Sequence, residues 1–353
     1  MKTWPHDQYP SPNDSGHLVL RPLSQGQAIW QNMLRTFPGA TLYHSEAWIA
    51  LLRRAYRLSM WLATLVRDGR VVAGGVFARS HNPFARRFVS FPFSDSCPPL
   101  ALSGEAARDL LEALVTQMAP GTTYEIRGIE AGAPWKAADC FVNWRLDLER
   151  PPATIERGLA SNFRRNLRRA QRDTKVEHGT EIALLKRFYA IQLDSRRRFG
   201  LPPQPWRFFQ LAHELFAPKD LDIWLASEGG KDVAAAIFVR DGDTVHFKWG
   251  ARRPDPRSNA NHLLLWSAIE KFASRARVLD LGRTDFRNTG LMRFKRELGA
   301  VATPLPYSFF PLAPRQVSPE VLTGAYKVLA GVWSRLPIFA TRLLGWAACR
   351  ILA

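Results

Sequence analysis

Cysteine is scarce in this chain: Cys97, Cys140 and Cys349 are the whole complement among 353 residues. Three thiols, odd in number and far apart, exclude a disulfide scaffold, and no spacing between them suits a structural zinc ion. A reducing compartment fits best. Acid is short as well, with 31 Asp+Glu against 49 Lys+Arg, a formal net charge of +18. That balance favours anionic partners such as nucleic acid, nucleotide, lipid headgroup or carrier protein, although a general preference for arginine accounts for it equally well. Long apolar runs are missing: no stretch has the roughly 18 uncharged apolar residues of a spanning helix. The opening "MKTWPHDQYPSPNDSGH" is polar and proline-rich, without the apolar segment of a secretory signal. A cytoplasmic location is expected. Several catalytic signatures are absent too: no G-x-S-x-G elbow, no Walker loop, no G-x-G-x-x-G and no metal-ligand cluster.

What is present is an ample core. Hydrophobic residues make up 46% and charged residues 23%, a globular composition, and 353 residues are too many for one ordinary core. Two domains are expected. "HLVLRPL" reads as a strand, and "SQGQAIWQNMLRTF" and "SEAWIALLRRAYRL" as amphipathic helices, each opened by a serine able to cap it. "MWLATLVRDGRVVAGGVFARS" is a hairpin around Asp68-Gly69. "GEAARDLLEALVTQMA" reads as a helix, and "TTYEIRGI" and "VNWRLDL" as strands.

The hairpin has an echo. Trp61-Leu62-Ala63 matches Trp224-Leu225-Ala226, and the run from Val72 to Phe77 matches that from Val233 to Phe238. The two copies lie about 160 residues apart, a domain-sized separation. The spacing predicts an α/β (α+β) chain of two tandem units, each a mixed, mostly antiparallel sheet flanked by helices. The expected bounds are a tail over 1–17, a first domain over 18–148, a second over 149–312 and a helical tail over 313–353. In that last segment arginines and tryptophans are mixed with Leu336, Phe339 and Leu344. A basic amphipathic helix of this kind suits a peripheral membrane contact through residues 316–353, or a docking face on the body of the protein.

Chemistry-bearing residues gather late in the chain. "ARRPDPRSNAN" enters a helix at Asn261, where backbone N–H groups at a positive dipole end suit a phosphate, with Arg252, Arg253 and Arg257 beside it. Arg283 and Asp285 leave the end of the strand "RVLDLGRTDF", the place where ligands meet α/β sheets. Asp285 can orient or deprotonate an amine there, or simply cap a turn. In "LMRFKRELGA", Leu291, Phe294 and Leu298 form an inward face that Lys295 shares. An ammonium there either snorkels to water or answers the negative charge that builds on a carbonyl oxygen during acyl transfer.

Seven segments occur in one familiar order: "TLYHSEAWIALL", "FVSFPFSDSCPPLAL", "SNFRRNLRRAQRD", "VHFKWGA", "NANHLLLWSAIEKF", "DLGRTDF" and "GLMRFKRELGA". In this the chain resembles the Fem-type and BioF2-like acetyltransferase branch of the GNAT acyltransferase superfamily, over about residues 18 to 312. The resemblance implies an acyltransferase with two GNAT-like domains, in which Lys295 and Phe294 form the catalytic pair. Asn261 and Trp266 would lie beside the donor, with Trp249 and Arg253 on the same side. Arg165, Asn166 and Arg168 would approach the acceptor, and Asp95 would line the cleft between domains. The implied donor is acyl-CoA, acyl-carrier protein or aminoacyl-tRNA. No inserted helical arm is present, which favours a thioester over tRNA. The implied acceptor is an anionic cell-envelope precursor of the peptidoglycan or exopolysaccharide kind, and no metal is implied.

Overall fold

The computed structural model describes residues 16–80, 86–117, 121–255, 257–311 and 324–352. The expected N-terminal tail and the stretch 316–323 lie outside the described residues, apart from Gly16 and His17. The first unit runs β1 (His17–Pro22), α1 (Leu23–Thr36), a 3-10 turn (Leu42–His44), α2 (Glu46–Tyr56), β2 (Ser59–Arg67), β3 (Arg70–Arg79), β4 (Arg86–Val89), β5 (Leu100–Ala101), α3 (Gly104–Thr116) and β6 (Thr122–Arg127). Then come β7 (Lys136–Ala138), β8 (Phe141–Asp147), α4 (Pro152–Gly158) and α5 (Ser161–Asp173). The second unit runs β9 (Thr174–Gly179), α6 (Ile182–Arg198), α7 (Trp206–Phe216), β10 (Leu221–Glu228), β11 (Lys231–Asp241), β12 (Thr244–Arg252), α8 (Ala260–Phe272) and β13 (Val278–Asp285). The chain closes with α9 (Thr289–Glu297), β14 (Val301–Pro304), β15 (Tyr307–Phe310), α10 (Gly324–Arg335) and α11 (Ile338–Leu352).

The echo is therefore a repeat of topology. The series β1-α1-α2-β2-β3-β4-α3-β6 recurs as β9-α6-α7-β10-β11-β12-α8-β13. Both hairpins turn on residues with positive φ, Asp68-Gly69 in one and Gly229-Gly230 in the other, the backbone that a tight two-residue turn demands. Their registers differ: Leu62 pairs with Val76, whereas Leu225 pairs with Ala235, the counterpart of Gly74. A shift of two keeps every side chain on its own face. Each unit also holds one parallel pair in an otherwise antiparallel sheet, β4 with β6 and β12 with β13.

The sheets run β1-β2-β3-β4-β6-β15-β7, with β5 beside β3, and β14-β8-β13-β12-β11-β10-β9. The two halves exchange strands. β8 precedes residue 149 yet pairs with β13, and β15 follows the whole second unit yet pairs with β6. A dividing line at 148/149 thus runs through the chain but not between the sheets. Between the lobes α2 packs on α7, placing Trp48 and Tyr56 against Phe208, Phe209 and Trp249. Trp48 and Trp249 stack with ring centroids 6.1 Å apart. Burying one such side chain is worth about 1.5–3 kcal/mol, so this apolar seam holds the lobes as one body.

Caps follow sequence at two helices. Ser45 accepts from the Trp48 N–H and Ser103 from the Ala106 N–H, both at 3.1 Å. Ser24 does not cap α1, because that helix starts one residue earlier, behind Pro22. The tail helices dock on the body, against α6 and α2. Trp346 Nε1 donates to the Ala55 carbonyl at 2.9 Å, and Gly345 lies so close to Pro203 that a Cβ would come within 2.4 Å of its oxygen.

Candidate active site

The second sheet opens at one point. β12 and β13 pair only from Thr244–His246 against Val278–Asp280, although both strands continue. At the point of parting each strand carries an extra residue against its outer neighbour. Lys248 is unmatched between Ile237–Trp249 and Phe238–Phe247, and Leu281 between Asp280–Arg145 and Gly282–Trp144. Bulges of this kind bend a strand and re-aim its side chains. The result is a wedge with peptide groups along both sides.

A segment of the first lobe fills the base of the wedge. After β4 the chain passes through Phe91 and Phe93, both at positive φ, and delivers Asp95 to the second lobe. The Asp95 carboxylate accepts from Tyr43 Oη at 2.6 Å and from Lys248 Nζ at 3.3 Å, and Arg283 Nε lies 3.7 Å away. Tyr307 Oη donates to the Asp95 carbonyl at 2.8 Å and accepts from Arg283 Nη1 at 2.7 Å. Gly282, at φ +70°, leaves room for this approach, since a Cβ there would stand 3.2 Å from Asp95 Oδ2. Burial opposes charge on the Asp95 carboxyl, but Lys248, Arg283 and Tyr43 outweigh it and hold its pKa well below the usual carboxylate range. Burial pulls the Lys248 ammonium down, against the pull of Asp95, and likewise lowers His246, against Asp280. Burial also raises Tyr43 and Tyr307.

At the end of β13 stands Lys295, the only buried residue of α9. Its ammonium donates to the Gly282 carbonyl at 2.9 Å, to the Arg283 carbonyl at 3.2 Å and to Thr284 Oγ1 at 2.8 Å. It does not snorkel. The lysine clamps the strand end from which the Arg283 guanidinium reaches back to Asp95, so Lys295, Arg283 and Asp95 form one connected group. Asp285, fully buried, is held by its neighbour: Arg287 donates Nε to Oδ1 at 3.0 Å and Nη2 to Oδ2 at 2.9 Å. Its Oδ1 also takes the Arg287 N–H at 2.8 Å, the geometry of a turn anchor.

A second group forms where α5, α8 and α9 meet. The Phe163 ring lies 4.7 Å from His262 and 5.6 Å from Phe294, and His262 lies 5.2 Å from Phe294. Asn166 Nδ2 is 3.4 Å from His262 Nε2. Asn162 and Arg293 both bond Glu297, tying α5 to α9. Phe294, Asn166 and the first turn of α8 with Asn261 are thereby brought together. Arg165, bonded to Asn162, and Arg168 stay on the exposed face of α5.

The tryptophans are placed otherwise. Trp249 belongs to the seam between lobes and Trp266 to the core under the second sheet, at 7% and 4% exposure. Packing takes up both rings: the bulge at Lys248 turns Trp249 toward α7, and the buried face of α8 takes Trp266. Arg253 is committed at the surface to Asp194, at 3.2 Å, and to the Asp232 carbonyl. α8 begins at Ala260 rather than Asn261, and Ser258 Oγ accepts from the Ala260 N–H at 3.3 Å.

Sequence reasoning missed Tyr43, His246, Lys248, His262 and Tyr307. Lys248 had a faint signal, a lone cation among aromatics in "VHFKWGA". His262 sits beside Asn261 and was within reach. The tyrosines carry no local mark. Among the described residues no group of His, Cys, Asp and Glu is arranged to hold a metal ion.

Residues 158–296 match the acetyltransferase (GNAT) domain family, a span that ends one residue beyond Lys295. No curated protein matches the chain by sequence. Among solved structures it is similar to FemX, at 12% identity over 87% of this chain and 98% of the other, with a TM-score of 0.58. It is also similar to a tandem GNAT protein from the clavulanic acid biosynthesis pathway (12%, 85% and 100%, 0.54) and to L-PGS from Bacillus licheniformis (12%, 88% and 97%, 0.54). At such identities the likeness is one of fold. The match to the GNAT domain family thus covers residues 158–296, within a chain whose overall fold is similar to FemX and to a tandem GNAT protein.

Proposed function

We propose that the protein transfers an acyl group, acetyl or aminoacyl, from an acyl-CoA thioester to an amine or hydroxyl of an anionic cell-envelope or exopolysaccharide precursor. The observation that carries this reading is the parting of β12 from β13 after three residue pairs. An extended, amide-bearing arm such as pantetheine can hydrogen-bond along a strand edge opened in this way, much as an added strand does. It delivers its thioester toward the end of β13, beside the Asp95 segment that fills the base of the wedge. The acceptor nitrogen or oxygen bonds to the carbonyl carbon, the carbon–sulfur bond breaks, the acceptor's proton leaves, and the thiol of CoA is released.

Charge on the carbonyl oxygen rises during attack. The buried Lys295 ammonium, fixed against the end of β13, supplies a positive charge that needs no reorganisation. Arg165 and Arg168, exposed on α5 and next to the Asn166–His262–Phe294 group, suit an anionic acceptor. Asp95 and Arg283 shape the floor between the lobes.

The test is thiol release from acetyl-CoA by the full chain, against a panel of sugar-nucleotide and muropeptide acceptors, with binding of CoA thioesters followed calorimetrically. Acceptor-dependent release supports the proposal. Absence of thioester binding, with activity on charged tRNA that ribonuclease abolishes, overturns the donor assignment.

A further inference from the structure

The C-terminal helices use one face and leave another bare. Thr341, Gly345 and Cys349, at four-residue intervals on α11, turn inward, as does Ala330 on α10. Ala330 fills the space against Gly200, and the Arg197 guanidinium donates to the Leu336 carbonyl at 3.4 Å. These helices are part of the body. Phe339, 68% exposed, and Leu344, 50%, lie on the other side of α11; Val332 on α10 is 56% exposed, and Ile338, the first residue of α11, is 41% exposed at the helix start. Phe199, at the end of α6 beside Gly200, adds a further ring at 53% exposure, with the Arg198 guanidinium 4.7 Å from its centre. Among the described residues these are most of the large apolar side chains in the open.

We propose that this face, built on Val332, Ile338, Phe339 and Leu344 and flanked by the exposed Arg335 and Arg342, seats the protein on an anionic lipid bilayer. Charge selects the occupant. The sequence from 324 to 352 carries Lys327, Arg335, Arg342 and Arg350 and no acid at all. A second copy of the chain is a poor fit, because a twofold contact would press together two copies of a face that carries basic and no acidic residues, in a protein already at +18. A spanning mode is excluded as well: no helix of the described residues is long and apolar enough to cross a membrane. What suits the face is a shallow position. The apolar side chains enter the headgroup boundary while the arginines, on flexible stems, stay with lipid phosphates. Binding of this kind needs no turnover, so it stands or falls apart from the acyl-transfer reading.

The test is sedimentation of the full chain with sucrose-loaded vesicles, phosphatidylglycerol mixed with phosphatidylcholine in one set and phosphatidylcholine alone in the other. Binding is expected to the first set only, and to weaken as salt is raised. The pair Ile338→Ser with Phe339→Ser, and separately Arg335→Glu with Arg342→Glu, are each expected to weaken it about tenfold or more, the loss of two apolar or two ionic contacts with the surface. All four positions face solvent, so thermal melting is expected to match the wild type, and thiol release with a soluble acceptor is expected to persist. Failure to bind the anionic vesicles, or variants that bind as tightly as the wild type, overturns the proposal. So does a dimer in sedimentation velocity that Phe339→Ser dissociates, since a second copy would then be the occupant.

Discussion

Asp95 and Lys248 come from different lobes and meet across 3.3 Å. The acid leaves the first sheet after β4, and the base is the extra residue in the bulge of β12. Replacing Asp95 with Asn leaves two cations, Lys248 and Arg283, without their carboxylate. Breaking a buried pair typically costs 3–5 kcal/mol, and because the Asp95 side chain keeps 21% exposure the expected loss is about 3 kcal/mol. Urea unfolding measures it. Adding Lys248→Met to Asp95→Asn is expected to recover part of the loss, and strictly additive effects would show that the two groups do not interact.

A second buried acid sets a pH dependence. Glu125 lies between Arg127, 2.7 Å from its carboxylate, and Arg87. Burial raises its pKa, but the two guanidinium groups prevail and bring it down to about 2 from 4.5. With the folded value below the unfolded one, the unfolded chain binds the proton more readily. The stabilisation is therefore complete above about pH 5 and is lost as pH falls from 4.5 toward 2, a change of about 3 kcal/mol. The stability difference between wild type and Glu125→Gln, followed by denaturant titration, is expected to be flat above pH 5 and to shrink below it.

Lys295→Met tests the clamp and the charge together. Three acceptors on β13 lose their donor, and a loss of about 1–3 kcal/mol in stability is expected. The proposed electrostatic role adds a fall in kcat of about a hundredfold or more in protein that is still folded. Kinetics well below the melting transition separate the two effects. Activity that returns fully on cooling would leave Lys295 with a structural role alone.

Arg165→Ala and Arg168→Ala remove exposed charges from α5. Neither is expected to shift the melting temperature by more than about 0.5 kcal/mol in equivalent stability, the usual range at the surface. Each is expected to raise KM for an anionic acceptor several-fold, with little effect at high salt, where such charges are screened. A change in kcat alone would instead place them in the chemistry.

Much of the fold was legible because it is periodic. Alternating residues around Asp68-Gly69 and around Gly229-Gly230 define two hairpins, and their shared sequence blocks mark a duplication that the topology bears out. The buried lysine of α9 was visible for the same reason, as a charge on an apolar stripe. The strand exchange was not legible. β8 and β15 are short runs whose local pattern says strand but not which sheet, and pairing partners are chosen by contacts far away in sequence. The core positions of Trp249 and Trp266 were not legible either, because an aromatic at a motif position looks alike whether it packs a core or faces a ligand.

Local pattern along the chain suffices for the helices, the hairpins, the duplicated plan and the cation on the inner side of α9, since each depends on neighbours within a few turns or strands. Long-range packing is what sets the Lys295 hydrogen bonds on the end of β13 and carries Asp95 from one lobe to Lys248, Arg283 and two tyrosines. Those contacts join residues from 43 to 307. Bulges, a glycine at positive φ and an apolar seam bring them within reach, and no local preference of the chain records such distances.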